Sequence, residues 1–116
     1  MILILEDEPF IALDVEELLA ANGYLDAVVF SKGADALSWL MINNPKFAIV
    51  DPRLLDGVCS AVAQLLAERG TPFIVYSGET DSVLVEEPAF LAGDLVSKPA
   101  LPEDIMAAIR RAVDSK

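Results

Sequence analysis

Side chains that can do chemistry follow four of the short apolar runs in this sequence. Glu6 and Asp7 come after the first run, Asp51 after the third, Ser77 after the fourth and Lys98 after the fifth. If these runs are strands of one parallel sheet, their carboxyl ends meet at one edge, where such sheets bind ligands. We therefore expect the three carboxylates, the hydroxyl and the ammonium group to converge in one crevice.

The carboxylates predict a divalent metal ion in this crevice. Two carboxylates about 4 Å apart repel each other by roughly 4 kcal/mol at an effective dielectric of about 20, so a cation should accompany them. Mg²⁺ takes oxygen ligands and needs only one or two carboxylates, and Lys98 adds a fixed positive charge. Such a site can neutralise a phosphoryl group, and Ser77 and the backbone N–H of Gly78 can donate to its oxygens.

Asp51 is the predicted nucleophile of this site, and therefore its phosphoacceptor. The residue before a proline is restricted to extended backbone angles, so Pro52 keeps Asp51 at the end of its strand. Because proline has no N–H, a backbone donor on this side must come from Arg53 or beyond. Taken singly, Asp51, Ser77 and Lys98 are of types that are common at protein surfaces. Their joint position at strand ends is what predicts function.

The composition argues against several other classes of protein. Eight basic and nineteen acidic residues give a formal charge of −11, which disfavours binding to nucleic acid or to an anionic membrane surface. The chain has no histidine and one cysteine, Cys59, which excludes histidine relays, internal disulfides and cysteine-based zinc sites. Cys59 is predicted to be buried and inert. No apolar run approaches the roughly 20 residues that span a bilayer, so we expect a cytoplasmic protein.

Apolar runs alternate with amphipathic segments along the chain, which predicts an α/β fold. The runs that predict strands lie at 2–5, 27–30, 47–50, 73–76 and 95–96. The segments that predict helices begin at Pro9 and end before Gly23, run from Ala34 to Met41, run from Val58 to Leu66 before Gly70, and begin at Pro102. This alternation predicts a doubly wound, five-stranded parallel sheet with helices on both faces.

The stretch from 79 to 93 interrupts this pattern. Pro88 and several acidic residues break any apolar stripe there, so we expect the fourth helix to be short or irregular. No linker or repeat divides the sequence. We expect one domain over residues 1–116, with no output domain attached.

The residues at the strand ends resemble those of the response-regulator receiver domain (CheY-like), and the resemblance covers essentially the whole chain. The matching segments are Leu3-Ile4-Leu5-Glu6-Asp7-Glu8-Pro9, Val50-Asp51, Ser77 and Lys98-Pro99. The resemblance implies a flavodoxin-like strand order 2-1-3-4-5. It also implies that a sensor histidine kinase is the phosphoryl donor, and that the domain is a phosphoacceptor that assists its own phosphorylation and dephosphorylation rather than an enzyme.

The same resemblance implies a set of ligands for Mg²⁺. Asp7, Asp51 and the backbone carbonyl of Arg53 would bind the ion directly, and Glu6 would act through water. The family's first acid is commonly aspartate, so Glu6 is one methylene longer than usual. The loop from Pro52 to Leu55 is shorter than usual, and Leu95 stands where the family has its aromatic switch residue. The usual coupling of hydroxyl movement to aromatic rotation therefore cannot operate in that form.

Two further segments, together with the short loop after Asp51, resemble an atypical receiver subgroup known for a Phe-Ala-Thr-Gly-x-Tyr-like motif (FATGUY type). They are Arg69-Gly70-Thr71-Pro72-Phe73 and Tyr76-Ser77-Gly78. This subgroup is often partnered with HWE-type sensor kinases, and its fourth helix is often poorly formed. Tyr76 is either a substitute for the missing aromatic switch or a core tyrosine.

Three other functions are alternatives to this interpretation. A flavodoxin-like flavin binder needs hydroxyl and glycine donors in its first loop, where Glu6, Asp7 and Glu8 would repel a phosphate. An aspartate-nucleophile phosphohydrolase would carry a second acid where Arg53 stands. A pseudo-receiver that only binds a protein partner, without phosphorylation, is the remaining alternative. A working receiver would either act as a phosphate sink or dock on an unidentified downstream partner.

Overall fold

The computed structural model describes residues 1–78 and 87–114. Its strands are β1 Ile2–Leu5, β2 Ala27–Phe30, β3 Phe47–Val50, β4 Arg53–Leu54, β5 Gly57–Val58, β6 Phe73–Ser77 and β7 Asp94–Ser97. Its helices are α1 Pro9–Ala21, α2 Gly33–Leu40, α3 Ser60–Glu68, a 3-10 helix Pro88–Ala92 and α4 Pro102–Asp114.

Five strands form one parallel sheet in the order β2-β1-β3-β6-β7. Counted without the small antiparallel hairpin β4–β5, this is the predicted order 2-1-3-4-5. All residues of β1, β3 and β6 are buried, which explains why their sequences are continuous apolar runs. Leu5 is in register with Val50, and Val50 with Val75, so the central strands end at the same edge of the sheet.

The two faces of the sheet are covered by different helices, as the doubly wound prediction requires. On one face, alternate strand residues pack with apolar residues of α1 and α4: Ile2, Ile4, Phe47, Ile49, Val15, Leu19, Ile105 and Ile109. On the other face, the intervening strand residues pack with α2, α3 and the 3-10 helix: Leu3, Leu5, Ala48, Val50, Leu40, Val62, Leu66 and Phe90. The side chains of each strand thus alternate between two apolar cores.

The helices begin and end at signals that are visible in the sequence. The Glu8 carboxylate accepts a hydrogen bond of 3.3 Å from the Phe10 N–H at the start of α1, where Pro9 occupies the first helical position. Gly23 and Gly70 follow α1 and α3 with φ values of 92° and 69°, a left-handed conformation that suits glycine.

The predicted start of the third helix was wrong. The spacing of apolar residues predicts Val58 on the inner face of a helix, but Val58 lies in β5 with 36% of its surface exposed, and α3 begins at Ser60. The helical spacing of the apolar residues in α3 extends by coincidence back to Val58, which belongs to the hairpin β4–β5. That hairpin was not predicted, because its strands are only two residues long.

The irregular stretch contains a 3-10 helix, Pro88–Ala92, which agrees with the predicted short or irregular fourth helix. Phe90 anchors it, because its side chain is completely buried in the core beside α3. The remaining part of that prediction, residues 79–86, lies outside the described residues. Within 1–78 and 87–114, no helix has both the length and the apolar character needed to cross a membrane.

Candidate functional site

The predicted site residues are positioned by the ends of β1, β3, β6 and β7. Glu6 directly follows β1, Asp51 follows β3, Ser77 ends β6 and Lys98 follows β7. Backbone bonds extend the parallel ladders by one step, with Asp51 N donating to Leu5 O at 2.9 Å and Lys98 N donating to Ser77 O at 2.9 Å. The directions of these side chains are therefore set by the register of the sheet.

The ammonium group of Lys98 bridges two carboxylates at the centre of the site. Its Nζ lies 2.6 Å from Glu6 Oε1 and 2.7 Å from Asp51 Oδ2. The three side chains are 16%, 4% and 12% exposed, so little solvent screens these ion pairs. The structure thus brings the ammonium group of Lys98 against two of the three carboxylates that the sequence predicted for this crevice.

The second oxygen of each carboxylate accepts a backbone N–H. Glu8 N donates to Glu6 Oε2 at 3.2 Å, and Arg53 N donates to Asp51 Oδ1 at 3.0 Å. The donor beside Asp51 is Arg53 because Pro52 has no N–H to give. All four carboxylate oxygens of Glu6 and Asp51 are thus hydrogen-bonded or ion-paired within the protein.

Burial and charge change the acidity of this cluster. Burial raises the pKa of Glu6 above its ordinary value, and the hydrogen bonds from Lys98 and from the Glu8 amide offset part of this rise. Burial alone would lower the pKa of Lys98, but its hydrogen bonds to Asp51 and Glu6 outweigh that effect and raise it. Lys98 therefore remains a cation at neutral pH.

Three acids offer a possible binding place for a metal ion. Glu6, Asp7 and Asp51 each present one carboxylate oxygen, and these atoms lie within 4.8 Å of one another. The donors are all oxygens, which suits a hard cation such as Mg²⁺ better than a metal that prefers nitrogen or sulfur. The predicted fourth ligand is the backbone carbonyl of Arg53, which is the first residue of β4.

The structure brings Ser77 to the same edge and separates Leu95 from the core. Ser77 is 3% exposed and is in register with Ser97, one residue before Lys98. Gly78 follows it, and among the described residues a Cβ there would come within 4.0 Å of Lys98 Cβ. Leu95 is 43% exposed on β7, while Tyr76 is buried in the core beneath α1 and α4.

Sequence reasoning missed the contact between Lys98 and Tyr76. The Lys98 ammonium lies 5.4 Å from the centroid of the Tyr76 ring, close enough for a cation–π interaction. The sequence placed both residues at adjacent strand ends. It did not show on which side of the ring the lysine would lie, because strand alternation gives the face of a residue but not its distance to a neighbour.

Sequence reasoning also missed Asp56, which connects the loop after Asp51 to α2. Its Oδ1 accepts from Gly33 N at 2.8 Å and its Oδ2 from Ala34 N at 3.0 Å. These backbone hydrogen bonds lower the pKa of Asp56. The carboxylate thus caps the first turn of α2 from a distant part of the chain, while the formal cap residue, Lys32, makes no side-chain cap bond.

Cys59 is buried, as predicted, and lies next to the same loop. Its thiol donates to the backbone carbonyl of Asp51 at 3.4 Å. Burial, with a contribution from the charge of Asp51, raises the pKa of Cys59 to about 12. A thiol with this pKa stays protonated at neutral pH and is a poor nucleophile.

Comparison with known proteins gives one consistent family. The family model described as "Response regulator receiver domain" matches residues 2–110. The transcriptional regulatory protein PdtaR of Mycobacterium tuberculosis is 30% identical over 116 residues, which cover 97% of this chain and 56% of PdtaR. The chain thus spans about half of the length of that relative.

Solved structures agree with the fold. The solution structure of SdrG from Sphingomonas melonis Fr1 is 30% identical, with a TM-score of 0.81 over 97% of this chain and 94% of that one. The receiver domain of the sensor histidine kinase PA1611 from Pseudomonas aeruginosa has a TM-score of 0.84 at 20% identity, over 97% and 96% of the two chains. That crystal structure has a magnesium ion coordinated in its active site cleft.

Proposed function

The chain belongs to the response regulator receiver domain family, and from this premise we propose that Asp51 accepts a phosphoryl group in a magnesium-dependent reaction. The observation that carries the proposal is the ion pair of Lys98 with Asp51 and Glu6 at 2.7 and 2.6 Å, beside the carboxylate of Asp7. A phosphoryl group entering this crevice meets both a nucleophile and a fixed positive charge.

The transfer exchanges one bond to phosphorus for another. An oxygen of Asp51 forms the new bond, while the bond between phosphorus and the donor's histidine nitrogen breaks. The nitrogen leaves with the electron pair, and the product on this chain is an aspartyl phosphate. Lys98 is placed to pair with the negative charge on the phosphoryl oxygens, and the Ser77 hydroxyl is the proposed hydrogen-bond donor to them.

The acidic residues fit a bound Mg²⁺ ion. Asp7 and Asp51, with the backbone carbonyl of Arg53, are the proposed direct ligands, and Glu6 is the proposed partner through water. When bound, Mg²⁺ neutralises charge on the phosphoryl oxygens. The all-oxygen donor set supports this assignment.

The proposed phosphoryl donor is a sensor histidine kinase. The resemblance to the atypical receiver subgroup favours a kinase of the HWE type. We propose that phosphorylated Asp51 serves either as a phosphate sink or as a signal for docking on a partner. Incubation with a phosphorylated kinase separates these outputs, because a sink loses its label quickly and a docking signal retains it.

Intact-mass spectrometry tests the phosphoacceptor directly. The protein is treated with acetyl phosphate and Mg²⁺, which should add one phosphoryl group, a shift of about 80 Da. Asp51→Asn should abolish the shift, and omission of Mg²⁺ should reduce it strongly. Asp35→Asn, which changes an exposed acid in the first turn of α2, is the matched control and should be labelled like the wild type.

Two results would contradict the proposal. Labelling that survives Asp51→Asn would place the chemistry on another residue. A wild-type protein that takes no label from either acetyl phosphate or a kinase would support the pseudo-receiver alternative, in which the domain acts only through protein contacts.

A further inference from the structure

Lys98 has a third neighbour besides its two carboxylates, the aromatic ring of Tyr76. Its Nζ lies 5.4 Å from the ring centroid, within the distance of about 6 Å over which a ring face attracts a cation. Tyr76 is 8% exposed and the Lys98 side chain 16%. Because little water surrounds the pair, this attraction is stronger than at an open surface.

The sheet fixes the ring beside the lysine. Tyr76 precedes Ser77 on β6, so its side chain points to the opposite face of the sheet, toward α1 and α4. There the ring lines a groove of about 610 Å³ together with Lys98, Pro99 and Ala100. The Lys98 backbone N–H donates to the carbonyl oxygen of Ser77, the residue that follows Tyr76. This hydrogen bond holds the backbone of Lys98 next to the strand that carries the ring.

The ring differs from the carboxylates in how it attracts the ammonium. The attraction by Asp51 and Glu6 depends on their negative charge, which a bound divalent ion or a phosphoryl group alters. The attraction by the ring comes from its quadrupole and does not change with the ionisation of the acids. The ring can therefore hold the ammonium in place while the charges around it change.

We propose that Tyr76 is a positioning residue that holds the Lys98 ammonium at Asp51 through the face of its ring. The role in phosphoryl transfer rests on the function proposed above, whereas the placement of the ammonium does not. The rival explanation is that Tyr76 only fills space in the core, in which case any apolar side chain of similar size should replace it.

Nuclear magnetic resonance of the unphosphorylated protein tests the placement. Protons close to the face of a ring are shifted upfield, so the Hε resonances of Lys98 should move downfield in Tyr76→Leu and stay close to their wild-type position in Tyr76→Phe. Tyr76→Met, which also lacks a ring, is the second variant if Tyr76→Leu does not fold. The Lys98 resonances are assigned by their loss in Lys98→Met.

The chain offers a matched control in a second lysine–tyrosine pair. Lys46 Nζ lies 5.9 Å from the centroid of the Tyr24 ring, and Tyr24 packs edge-on against Phe47, away from the strand ends that carry the site. Tyr24→Leu should move the resonances of Lys46 and leave those of Lys98 unchanged. It should also leave the rate of phosphorylation unchanged.

The rate of labelling by acetyl phosphate with Mg²⁺ tests the consequence for phosphorylation. Tyr76→Leu should slow labelling by about threefold to tenfold, the range expected from the loss of a partly desolvated cation–π contact, and Tyr76→Phe by less than about twofold. Unchanged Lys98 resonances in both Tyr76→Leu and Tyr76→Met would overturn the proposal. Labelling that is slowed equally in Tyr76→Phe and Tyr76→Leu would also overturn it. If the wild type takes no label, the proposed function fails, and the resonances then decide only whether the ring lies over the Lys98 side chain.

Discussion

Asp51 and Asp56 lie in one loop, and each uses both oxygens of its carboxylate. Asp51 is 12% exposed on its side chain and accepts from the Lys98 ammonium and one backbone amide. Asp56 is exposed and accepts from two backbone amides at the start of α2. The first acid is thus held by the ammonium group of a lysine side chain, and the second by donors that the helix fixes.

The difference between these two acids agrees with the proposal that Asp51 is the reacting acid. In the proposed reaction the Lys98 ammonium would exchange a carboxylate partner for a phosphoryl oxygen, because a flexible side chain carries it. The amides of Gly33 and Ala34 cannot follow Asp56 without moving the first turn of α2. Asp51 is therefore the acid whose partner can be exchanged, and Asp56 is the acid that holds its loop to α2. Substitutions of these two residues should have different consequences.

Removal of the lysine should have the largest effect. Lys98→Met leaves the buried Glu6 and the partly buried Asp51 without their cation, which should lower the free energy of unfolding by about 3 kcal/mol at neutral pH. The loss should shrink as the pH falls toward about 4, because a protonated Glu6 no longer repels the neighbouring carboxylate. Urea unfolding at the two pH values measures both effects.

The matched control for this substitution is Lys46→Met, since Lys46 is exposed and lies outside the carboxylate cluster. It should change the free energy of unfolding by less than about 1 kcal/mol at either pH. Added Mg²⁺ should restore part of the stability of Lys98→Met and none of any loss in Lys46→Met. Equal losses in the two variants would show that the Lys98 ion pairs contribute little.

The exposed acid should give a smaller effect, which is confined to stability. Asp56→Ala removes the acceptor for the amides of Gly33 and Ala34, so it should lower the urea midpoint and speed hydrogen exchange at both amides. Asp56→Asn, which keeps one acceptor oxygen, should fall between Asp56→Ala and the wild type. Labelling at Asp51 should reach the wild-type extent in both.

The pH dependence of this cap follows from its lowered pKa. Because the pKa of Asp56 in the folded protein lies below 3.8, the ionised carboxylate stabilises the fold above that pH, and its contribution is lost as the pH falls further. The difference between wild type and Asp56→Ala should therefore narrow in acid. A difference that stays constant down to about pH 2 would argue against an ionised cap.

The difference between Asp51 and Asp56 also explains which features of the fold and the site could be predicted from the sequence. The buried strands gave continuous apolar runs, and the parallel arrangement of those strands brought Glu6, Asp51, Ser77 and Lys98 to one edge. These predictions depend on order along the chain and on the two-residue period of strands. Both of these can be read directly from the residues.

The remaining contacts depend on distances that no local pattern encodes. Asp56 bonds to amides 22 and 23 residues earlier in the chain, in a helix whose own preceding residue is a lysine. The hairpin that carries Asp56 has strands of two residues, too short for an alternating pattern. The Tyr76 ring lies at the lysine because of the side-chain conformations, which the order of strands does not determine.

The smallest effect at neutral pH should come from Glu6, the buried acid beside the proposed phosphoacceptor. In the folded protein the pKa of Glu6 is raised above 4.5, so its contribution to stability is greatest below that pH and declines as the pH rises and the carboxylate ionises. Glu6→Gln removes this titration, and also one ion pair of Lys98. Loss of the buried charge stabilises the fold, whereas loss of the ion pair destabilises it. Because these two effects oppose each other, the free energy of unfolding at pH 7 should change by less than about 1 kcal/mol.

The test of this prediction is the difference in free energy of unfolding between about pH 4 and pH 7. Glu6→Gln should retain more of its low-pH stability at pH 7 than the wild type does. Glu17→Gln, at an exposed position of α1 outside the cluster around Lys98, is the control variant and should follow the wild-type curve. If Glu6→Gln and Glu17→Gln show the same pH dependence, the ionised Glu6 is as well stabilised by Lys98 as it is by water. The buried and exposed acids would then differ in their partners but not in the cost of their charge.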